Sequence, residues 1–327
     1  MTSFLHRRQF LHLAAGTAAL PVMSQIAGAQ TYPSRPVRLI VPNAAAGAND
    51  IVGRLIGQWL SERLGQPFVI ENRPGAGTNL GTEAAVRATP DGHTLLIATT
   101  SGAINATLYD RLNFNFMSDI APVASIARVP HVMEVNPSVP AKTVPEFIAY
   151  AKANPGKINM ASSGIGTAGH MAGELFKMMA GVDVVQVPYR GEAPAITDLL
   201  SGQVQIYFGT VTASIEYIRA GNIRALAVTT ATRWEGLPEV PTVADFLPGY
   251  EATAWQGVCA PKNTPAEIVD KLNREVNAAF ADTTMKTRLA DLGGVALPGS
   301  PADFGKLIAE ETDKWAKVIK SAGIKWE

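Results

Sequence analysis

The chain has 327 residues, of which 28 are basic and 28 are acidic. This balance leaves no electrostatic footprint for nucleic acid or for an anionic membrane surface. Cys259 is the only cysteine, which excludes an internal disulfide and a cysteine-based metal site, and its apolar neighbours predict a buried, inert thiol.

The first thirty residues have the pattern of a removable secretory signal. Arg7 and Arg8 provide a positive start, residues 11–22 form a short Ala-rich apolar stretch, and Ala27-Gly28-Ala29 is a small-residue cleavage pattern. Adjacent arginines are typical of a twin-arginine signal, which is a receptor-read address rather than an anchor. An amphipathic first helix is the alternative. We predict a signal peptide over residues 1–29, no later membrane span, and a periplasmic location.

The first part of the mature chain alternates short apolar runs with helical patterns. The predicted strands are Val37–Val41, Phe68–Glu71 and Thr94–Ala98. Apolar spacing predicts a helix from Ile51 to Leu64, closed by Gly65, and another around residues 80–88. This βαβαβ order implies mostly parallel strands with helices on both faces of a sheet.

A second α/β cycle begins near residue 125. Its predicted strands are Val132–Val135, Ile158–Ala161, Val184–Val187, Val204–Phe208, Ala225–Val228 and Trp255–Ala260. Its predicted helices are Val144–Ala153, His170–Ala180, Ala193–Leu200 and Thr212–Ala220, followed by C-terminal helices Pro265–Phe280 and Ala302–Ala322. The pattern leaves open whether two domains are consecutive or the C-terminal helices return to cover the first sheet.

Three glycine-rich turns connect a strand to a helix, over residues 42–50, 73–81 and 162–170. Small residues allow a ligand to approach the backbone, and helix N-termini present free N–H groups and partial positive charge. Such loops suit a carboxylate or phosphate, although glycine is also the ordinary turn residue. Asp50 is expected to cap its helix, and Ser162 and Ser163 are candidate caps of the next one.

The segment Gly164–Gly169 also matches the dinucleotide fingerprint G-x-G-x-x-G. That fingerprint needs an acid at the end of the following strand, whereas Asp183 precedes the strand and Arg190 follows it. An exported nucleotide-dependent oxidoreductase is therefore retained as the alternative function.

Hydrolase and metal sites have less support. There is no G-x-S-x-G elbow, and His93, His131 and His170 are scattered without metal-ligand spacing. His170 is interpreted as a hydrogen-bond donor or structural cap rather than a general base. We predict no enzyme activity, no catalytic residue, no metal and no cofactor.

A series of motifs runs through the mature chain in a fixed order. They are residues 32–42, 49–52, 71–77, 90–96, 163–170, 187–191, 198–204, 224–229 and 237–242, which include Glu71-Asn72-Arg73-Pro74-Gly75-Ala76-Gly77 and Val187-Pro188-Tyr189-Arg190-Gly191. In these motifs the chain resembles the Bug family of extracytoplasmic solute receptors, the binding proteins of tripartite tricarboxylate transporters.

The resemblance implies a type II periplasmic-binding-protein fold, with two α/β domains joined by two crossovers and closing on a ligand as a Venus flytrap. Residues 30–125 and 252–327 would form a discontinuous first domain, and residues 126–251 the second. The implied function is capture of a small aliphatic or aromatic mono- or dicarboxylate. The implied partners are membrane permease subunits, or a sensor, with no nucleic acid and a monomeric receptor.

In such receptors one loop from each domain holds a carboxylate through backbone groups and water. By motif match, the implied ligand-binding residues are Asn43, Ala44, Ala45, Ala46, Gly47, Ala48, Asn49, Asp50, Ser101, Asn105, Ser162, Ser163, Gly164, Gly166, Thr167, His170, Tyr189, Gly209 and Thr210. Valine at Gly47 or Gly166 is predicted to block binding with a modest effect on folding.

Two positions depart from the family pattern. Ala46-Gly47 replaces a Gly-Gly pair in the first loop, and Gly209-Thr210 replaces an aspartate that often follows that strand. The missing acid argues against an amino-acid ligand, because an acid there would suit an amine or a hydroxyl.

Overall fold

A computed structural model describes residues 32–45 and 47–325. The predicted signal peptide and Ala46 lie outside the described residues. The strands are β1 Val37–Val41, β2 Phe68–Asn72, β3 Thr94–Thr99, β4 Ile120–Val135, β5 Asn159–Ser162, β6 Val185–Pro188, β7 Ile206–Thr210, β8 Arg224–Val228, β9 Thr253–Pro261 and β10 Val295–Ala296. The helices are α1 Ala48–Leu64, α2 Asn79–Val86, α3 Thr100–Leu108, α4 Val144–Ala153, α5 Ala168–Ala180, α6 Glu192–Ser201, α7 Val211–Arg219, α8 Ala266–Ala279, α9 Thr283–Asp291 and α10 Pro301–Ala322.

The strands form one curled sheet in the order β2-β1-β3-β9-β4-β7-β5-β6, with β8 and β10 also paired to β4. The β1–β2, β1–β3, β5–β6 and β5–β7 pairs are parallel. The pairs made by β4 and β9 are antiparallel. The parallel arrangement predicted for the first three strands is confirmed. The centre of the sheet is antiparallel, because a long strand and a late strand return against the others.

The first α/β unit shows why this sequence folds as it does. All of β3 is buried, as expected for a strand covered by helices on both faces. Helix α1 packs so closely on β1 that a Cβ added at Gly53 would lie 2.8 Å from Val41 Cγ2. Gly65 ends α1 in the left-handed conformation (φ 73°), as the sequence predicted.

Strand β4 belongs to both halves of the sheet. Residues 120–130 pair with β9, whereas His131–Val135 pair with β7. At the transition, the His131 N–H donates to Thr229 Oγ1 (3.0 Å), and the Thr229 N–H donates to the His131 carbonyl (2.9 Å). The second connection between the halves, which leads into β9, is tied to the same point because the Ala252 N–H donates to the Thr229 carbonyl (3.0 Å).

The C-terminal helices pack against the first half of the sheet. Trp59 Nε1 in α1 donates to the Glu275 carbonyl in α8 (2.7 Å). Leu272 and Val276 of α8 belong to the same buried apolar cluster as β1. Helix α10 contacts α3 and β4 and also reaches α5. The C-terminal helices therefore lie on the first half of the sheet. The division into two domains implied by the resemblance stays a proposal.

Candidate functional site

A cavity of about 630 Å³ lies between the two halves of the sheet. Its wall contains residues from the ends of β1, β3, β5 and β7, and its floor contains residues of β4 and β9. A second groove of about 650 Å³ lies between α1 and α9 and is lined by none of the predicted site residues. The first cavity is therefore the candidate ligand site.

Five helix N-termini converge on this cavity. The lining residues at these positions are Gly47, Ala48 and Asn49 of α1, Thr99, Thr100 and Ser101 of α3, Thr167, Ala168 and Gly169 of α5, Gly191 and Glu192 of α6, and Thr210, Thr212 and Ala213 of α7. Each N-terminus carries a partial positive charge and free N–H groups. An anion in the cavity would meet several such ends at once.

The described lining residues include no lysine or arginine, and Glu192 is the only one with a carboxylate. His131 also lines the cavity, but burial lowers its pKa to about 4, so its imidazole is neutral at physiological pH. Positive charge at the described lining is therefore limited to the partial charges of backbone dipoles, since no side-chain cation is present there.

Polar side chains fix the first loop against the floor. Asn49 Nδ2 donates to Asn43 Oδ1 (3.0 Å), and Gln256 Nε2 donates to Asn49 Oδ1 (3.0 Å). From behind, Asn72 Nδ2 donates to the Asn43 carbonyl (3.1 Å). This chain of bonds links β2, the first loop and β9, and it holds the start of α1 in place.

The third loop is organised by Thr167, which caps α5. Thr167 Oγ1 accepts from the His170 N–H (3.2 Å) and donates to the Gly164 carbonyl (2.8 Å). His170 Nδ1 accepts from the Gly166 N–H (3.2 Å). Burial, with a smaller effect of Lys177, lowers the His170 pKa to about 4. His170 thus acts as a neutral acceptor that shapes the loop.

Ten predicted site residues line the cavity: Asn43, Ala44, Ala45, Gly47, Ala48, Asn49, Ser101, Ser163, Thr167 and Thr210. They come from both halves of the sheet, and Ala46, between Ala45 and Gly47, lies outside the described residues. The structure therefore brings the first and third glycine-rich loops to one cavity.

Eight other predicted residues do not line the cavity: Asp50, Asn105, Ser162, Gly164, Gly166, His170, Tyr189 and Gly209. Asp50 lies within α1, whose N-cap is Gly47, so the expectation that Asp50 caps this helix was wrong. Its carboxylate contacts Arg54 Nε (2.9 Å) and Asn72 Nδ2 (2.9 Å). Likewise Thr167, rather than a serine, caps α5.

Several of these residues support the loops from behind. Asn105 Nδ2 donates to the Gly77 carbonyl and to Asn79 Oδ1, and so holds the second glycine-rich loop, which lies away from the cavity. Tyr189 donates to Asp198 Oδ2 (2.6 Å). Ser162 is fully buried.

Gly166 has a left-handed φ of 75°, and a Cβ there would be 2.6 Å from Leu108 Cδ2. The predicted modest effect of Gly166→Val on folding was therefore wrong. Gly47 has an extended backbone (φ −83°, ψ 168°), and its nearest neighbour for a Cβ is Ala44 O at 3.7 Å. Gly47→Val remains a clean probe of the cavity.

The most consequential residue missed by the sequence reasoning is Glu192. Its Oε1 accepts from the Thr210 N–H (3.2 Å), and its Oε2 accepts from Thr210 Oγ1 (3.0 Å). An acid therefore stands beside Gly209-Thr210 although none follows β7 directly, so the absence of an aspartate at these positions no longer argues against an amino-acid ligand. A Cβ at Gly209 would be 2.6 Å from Glu134 Oε1, which explains why a glycine follows Phe208.

The floor of the cavity was also missed. Trp255 and Gln256 lie in β9, and His131 lies in β4. Within the described part of the chain, Trp255 Nε1, Gln256 Oε1 and His131 Nδ1 are buried without a hydrogen-bond partner. Buried polar groups are normally paired, so these three atoms are exceptional among the residues that line the cavity. Strand-interior positions carry no local motif that could have identified them.

Comparisons with known proteins agree with this geometry. Residues 52–324 match the family model described as tripartite tricarboxylate transporter family receptor. The chain belongs to this receptor family. BugT of Bordetella pertussis is 35% identical over 96% of this chain and 96% of its own length. The family is one of extracytoplasmic solute receptors rather than of nucleotide-dependent enzymes.

Solved structures of the receptor family share the fold. Rpa4515 of R. palustris, solved with adipate, is 40% identical, covers 90% of this chain and 99% of its own, and has a TM-score of 0.79. MatC from Rhodopseudomonas palustris, solved with bound malate, is 32% identical, covers 88% of this chain and 100% of its own, and has a TM-score of 0.76. The fold is thus that of a periplasmic solute-binding protein.

Two further features of the described residues bear on function. None of the helices in residues 32–45 and 47–325 is long and apolar enough to cross a membrane. The same residues contain no group of three His, Cys, Asp or Glu side chains placed to hold a metal ion.

Proposed function

We propose that this receptor is exported to the periplasm, binds a small organic carboxylate between its two domains, and delivers it to membrane components of a tripartite transporter. The observation that carries this proposal is the convergence of five helix N-termini on a cavity whose described lining has no basic side chain. The adipate and malate in the two related structures support a carboxylate ligand.

The energetics of the cavity favour a small anion. One helix dipole contributes about 0.3–1 kcal/mol, so a single N-terminus binds a carboxylate weakly. Hydrogen bonds to a charged group contribute about 1.5–3 kcal/mol each. Several converging N–H groups would supply the affinity that no salt bridge with a lysine or arginine of the described lining provides.

Domain closure follows from the connection between the halves of the sheet. In the proposed division, residues 30–125 and 252–327 form one domain and residues 126–251 the other. The two connections, in β4 and before β9, are pinned together at Thr229. Closure about this point would bring the first loop and Thr167 onto opposite sides of a ligand.

The test is a binding screen of the mature protein by thermal shift and titration calorimetry. The probes are hexanoate, 6-hydroxyhexanoate, 6-aminohexanoate and adipate, with a matched four-carbon series and with hexanamide as the uncharged control. We expect at least one carboxylate to raise Tm in a concentration-dependent manner and hexanamide to have no effect. Failure of every carboxylate at millimolar concentration would refute the proposed ligand class.

Gly47→Val tests the position of the site. A Cβ at Gly47 would lie 3.7 Å from its nearest neighbour, Ala44 O, and Gly47 lines the cavity. We therefore expect only a small fall in Tm without ligand, because valine is a poor helix N-cap, and loss of the ligand-dependent rise. Gly305→Val in α10 is the control, because the nearest atom to a Cβ there is Pro122 Cγ at 3.5 Å, away from the cavity. Unchanged binding by Gly47→Val would contradict the assignment of the cavity.

A further inference from the structure

Glu192 is an unexpected group in a cavity suited to anions. It is the first residue of α6, it lies in the cavity wall, and it is the only carboxylate among the described lining residues. None of those residues is a lysine or an arginine. A ligand carboxylate beside Glu192 would therefore meet a like charge without a neighbouring cation to offset it.

Glu192 already uses the donors at the start of α7. The Thr210 N–H and Oγ1 donate to its two oxygens at 3.2 and 3.0 Å, and Thr210 is the N-cap of that helix. A carboxylate of the protein thus takes these two hydrogen bonds. A ligand carboxylate could gain them only by displacing Glu192.

The groups behind Glu192 do not neutralise it. The titratable groups that interact electrostatically with Glu192 are Glu134 of β4 and Tyr207 of β7. Both carboxyl groups raise the pKa of the Tyr207 phenol, after the larger effect of burial. Burial likewise raises the pKa of Glu192, against the opposing effect of hydrogen bonds from Thr210 and Tyr207. No basic group is among these described neighbours, so Glu192 has no counter-ion on this side of the cavity.

Resting on the proposed function, we infer that Glu192 determines ligand specificity: it selects carboxylates whose other end carries a hydrogen-bond donor, such as a hydroxyl or an ammonium group, and it disfavours a second ionised carboxylate. The first carboxylate is held by the remaining helix N-termini, and the distal donor contacts Glu192. Like charges in a partly buried site repel strongly, so the discrimination is expected to reach about tenfold in Kd.

The experiment compares Kd values for 6-hydroxyhexanoate, 6-aminohexanoate and adipate, and for the four-carbon series, in wild type and Glu192→Gln at neutral pH. Glutamine retains an oxygen for the Thr210 N–H and removes the charge. Wild type is expected to bind a hydroxy or amino acid about tenfold more tightly than the dicarboxylate of equal length, and Glu192→Gln is expected to remove this preference. Glu216→Gln on α7 is the control, because its side chain is 80% exposed.

The outcomes separate the two proposals. If carboxylates bind but the preference is the same in wild type and Glu192→Gln, the role of Glu192 is refuted and the receptor function stands. If no carboxylate binds, the proposed function itself fails. If Glu192→Gln does not fold, the order of Kd values in wild type still tests the role of Glu192. A dicarboxylate that binds wild type as tightly as its hydroxy analogue overturns the inference.

Discussion

Replacement of Glu134 by glutamine should change the pH dependence of stability. Glu134 is fully buried in β4, and its Oε1 accepts from Ser214 Oγ (2.7 Å). Burial raises its pKa from 4.5 to about 8, opposed by the Ser214 hydrogen bond and reinforced by Glu192. Above pH 4.5 the unfolded chain releases this proton while the folded protein retains it. Stability associated with Glu134 is therefore present below pH 4.5 and is lost as the pH rises to about 8.

The magnitude follows from the two pKa values. One pKa unit corresponds to about 1.4 kcal/mol, so the complete loss is about 5 kcal/mol, of which roughly 3 kcal/mol falls between pH 5 and pH 8. Glutamine keeps an acceptor for Ser214 and does not ionise. The difference in unfolding free energy between Glu134→Gln and wild type should therefore shift by roughly 3 kcal/mol in favour of the variant over this range.

Urea unfolding followed by circular dichroism at pH 5, 6, 7 and 8 measures this shift. A pH-independent cost of the new amide N–H groups would displace all four points equally and leave the shift unchanged. Exposed Glu216→Gln should show a flat difference over the same range. A flat difference for Glu134→Gln would refute the argument that a buried, protonated carboxyl lies behind the cavity.

Three further predictions test the thiol and the third loop. Cys259 is fully buried and its thiol pKa is raised by burial, so a charged disulfide reagent at pH 8 should label it only after urea is added; rapid native labelling would contradict this. Gly166→Val should lower the unfolding free energy by about 2 kcal/mol or more, because residue 166 has a left-handed φ and its new Cβ would collide with Leu108. A variant with the urea midpoint of wild type would argue against this loop geometry. His170→Phe should cost about 1–3 kcal/mol through the buried, unpaired Gly166 N–H, with His170→Asn closer to wild type in the same urea titration; equal loss in both variants would point to packing instead.

Local sequence signals predicted most elements of this fold. The α4 pattern gave the bounds Val144–Ala153 that the structure has, and Gly65 marked the end of α1. Periodicity alone missed α3 and α9 and treated β4 as a short strand. Strand β4 is long because it pairs with different partners along its length, and pairing partners are not encoded in local hydrophobic alternation.

The candidate site was predictable where function depends on the backbone. Small residues before a helix, as at Gly47 and Thr167, can be recognised from the local sequence. Trp255 and Gln256 cannot, because they lie within a strand that reaches the cavity only after the chain has crossed between the halves of the sheet twice. Glu192 was missed for a related reason: it begins helix α6, whereas its partner Thr210 ends strand β7, and an acid after β7 was sought only among the residues adjacent in sequence.

A cavity lined by helix ends and neutral polar groups has a consequence for how its ligand arrives. Dipoles attract an anion only at short range, and the described lining residues include no lysine or arginine that would add a longer-range field. Added salt, which screens such fields, should then have little effect on either the association rate or the affinity. A receptor built in this way would bind its ligand equally well at low and at high salt concentration. Its rate of capture would depend only on the concentration of the ligand and on diffusion.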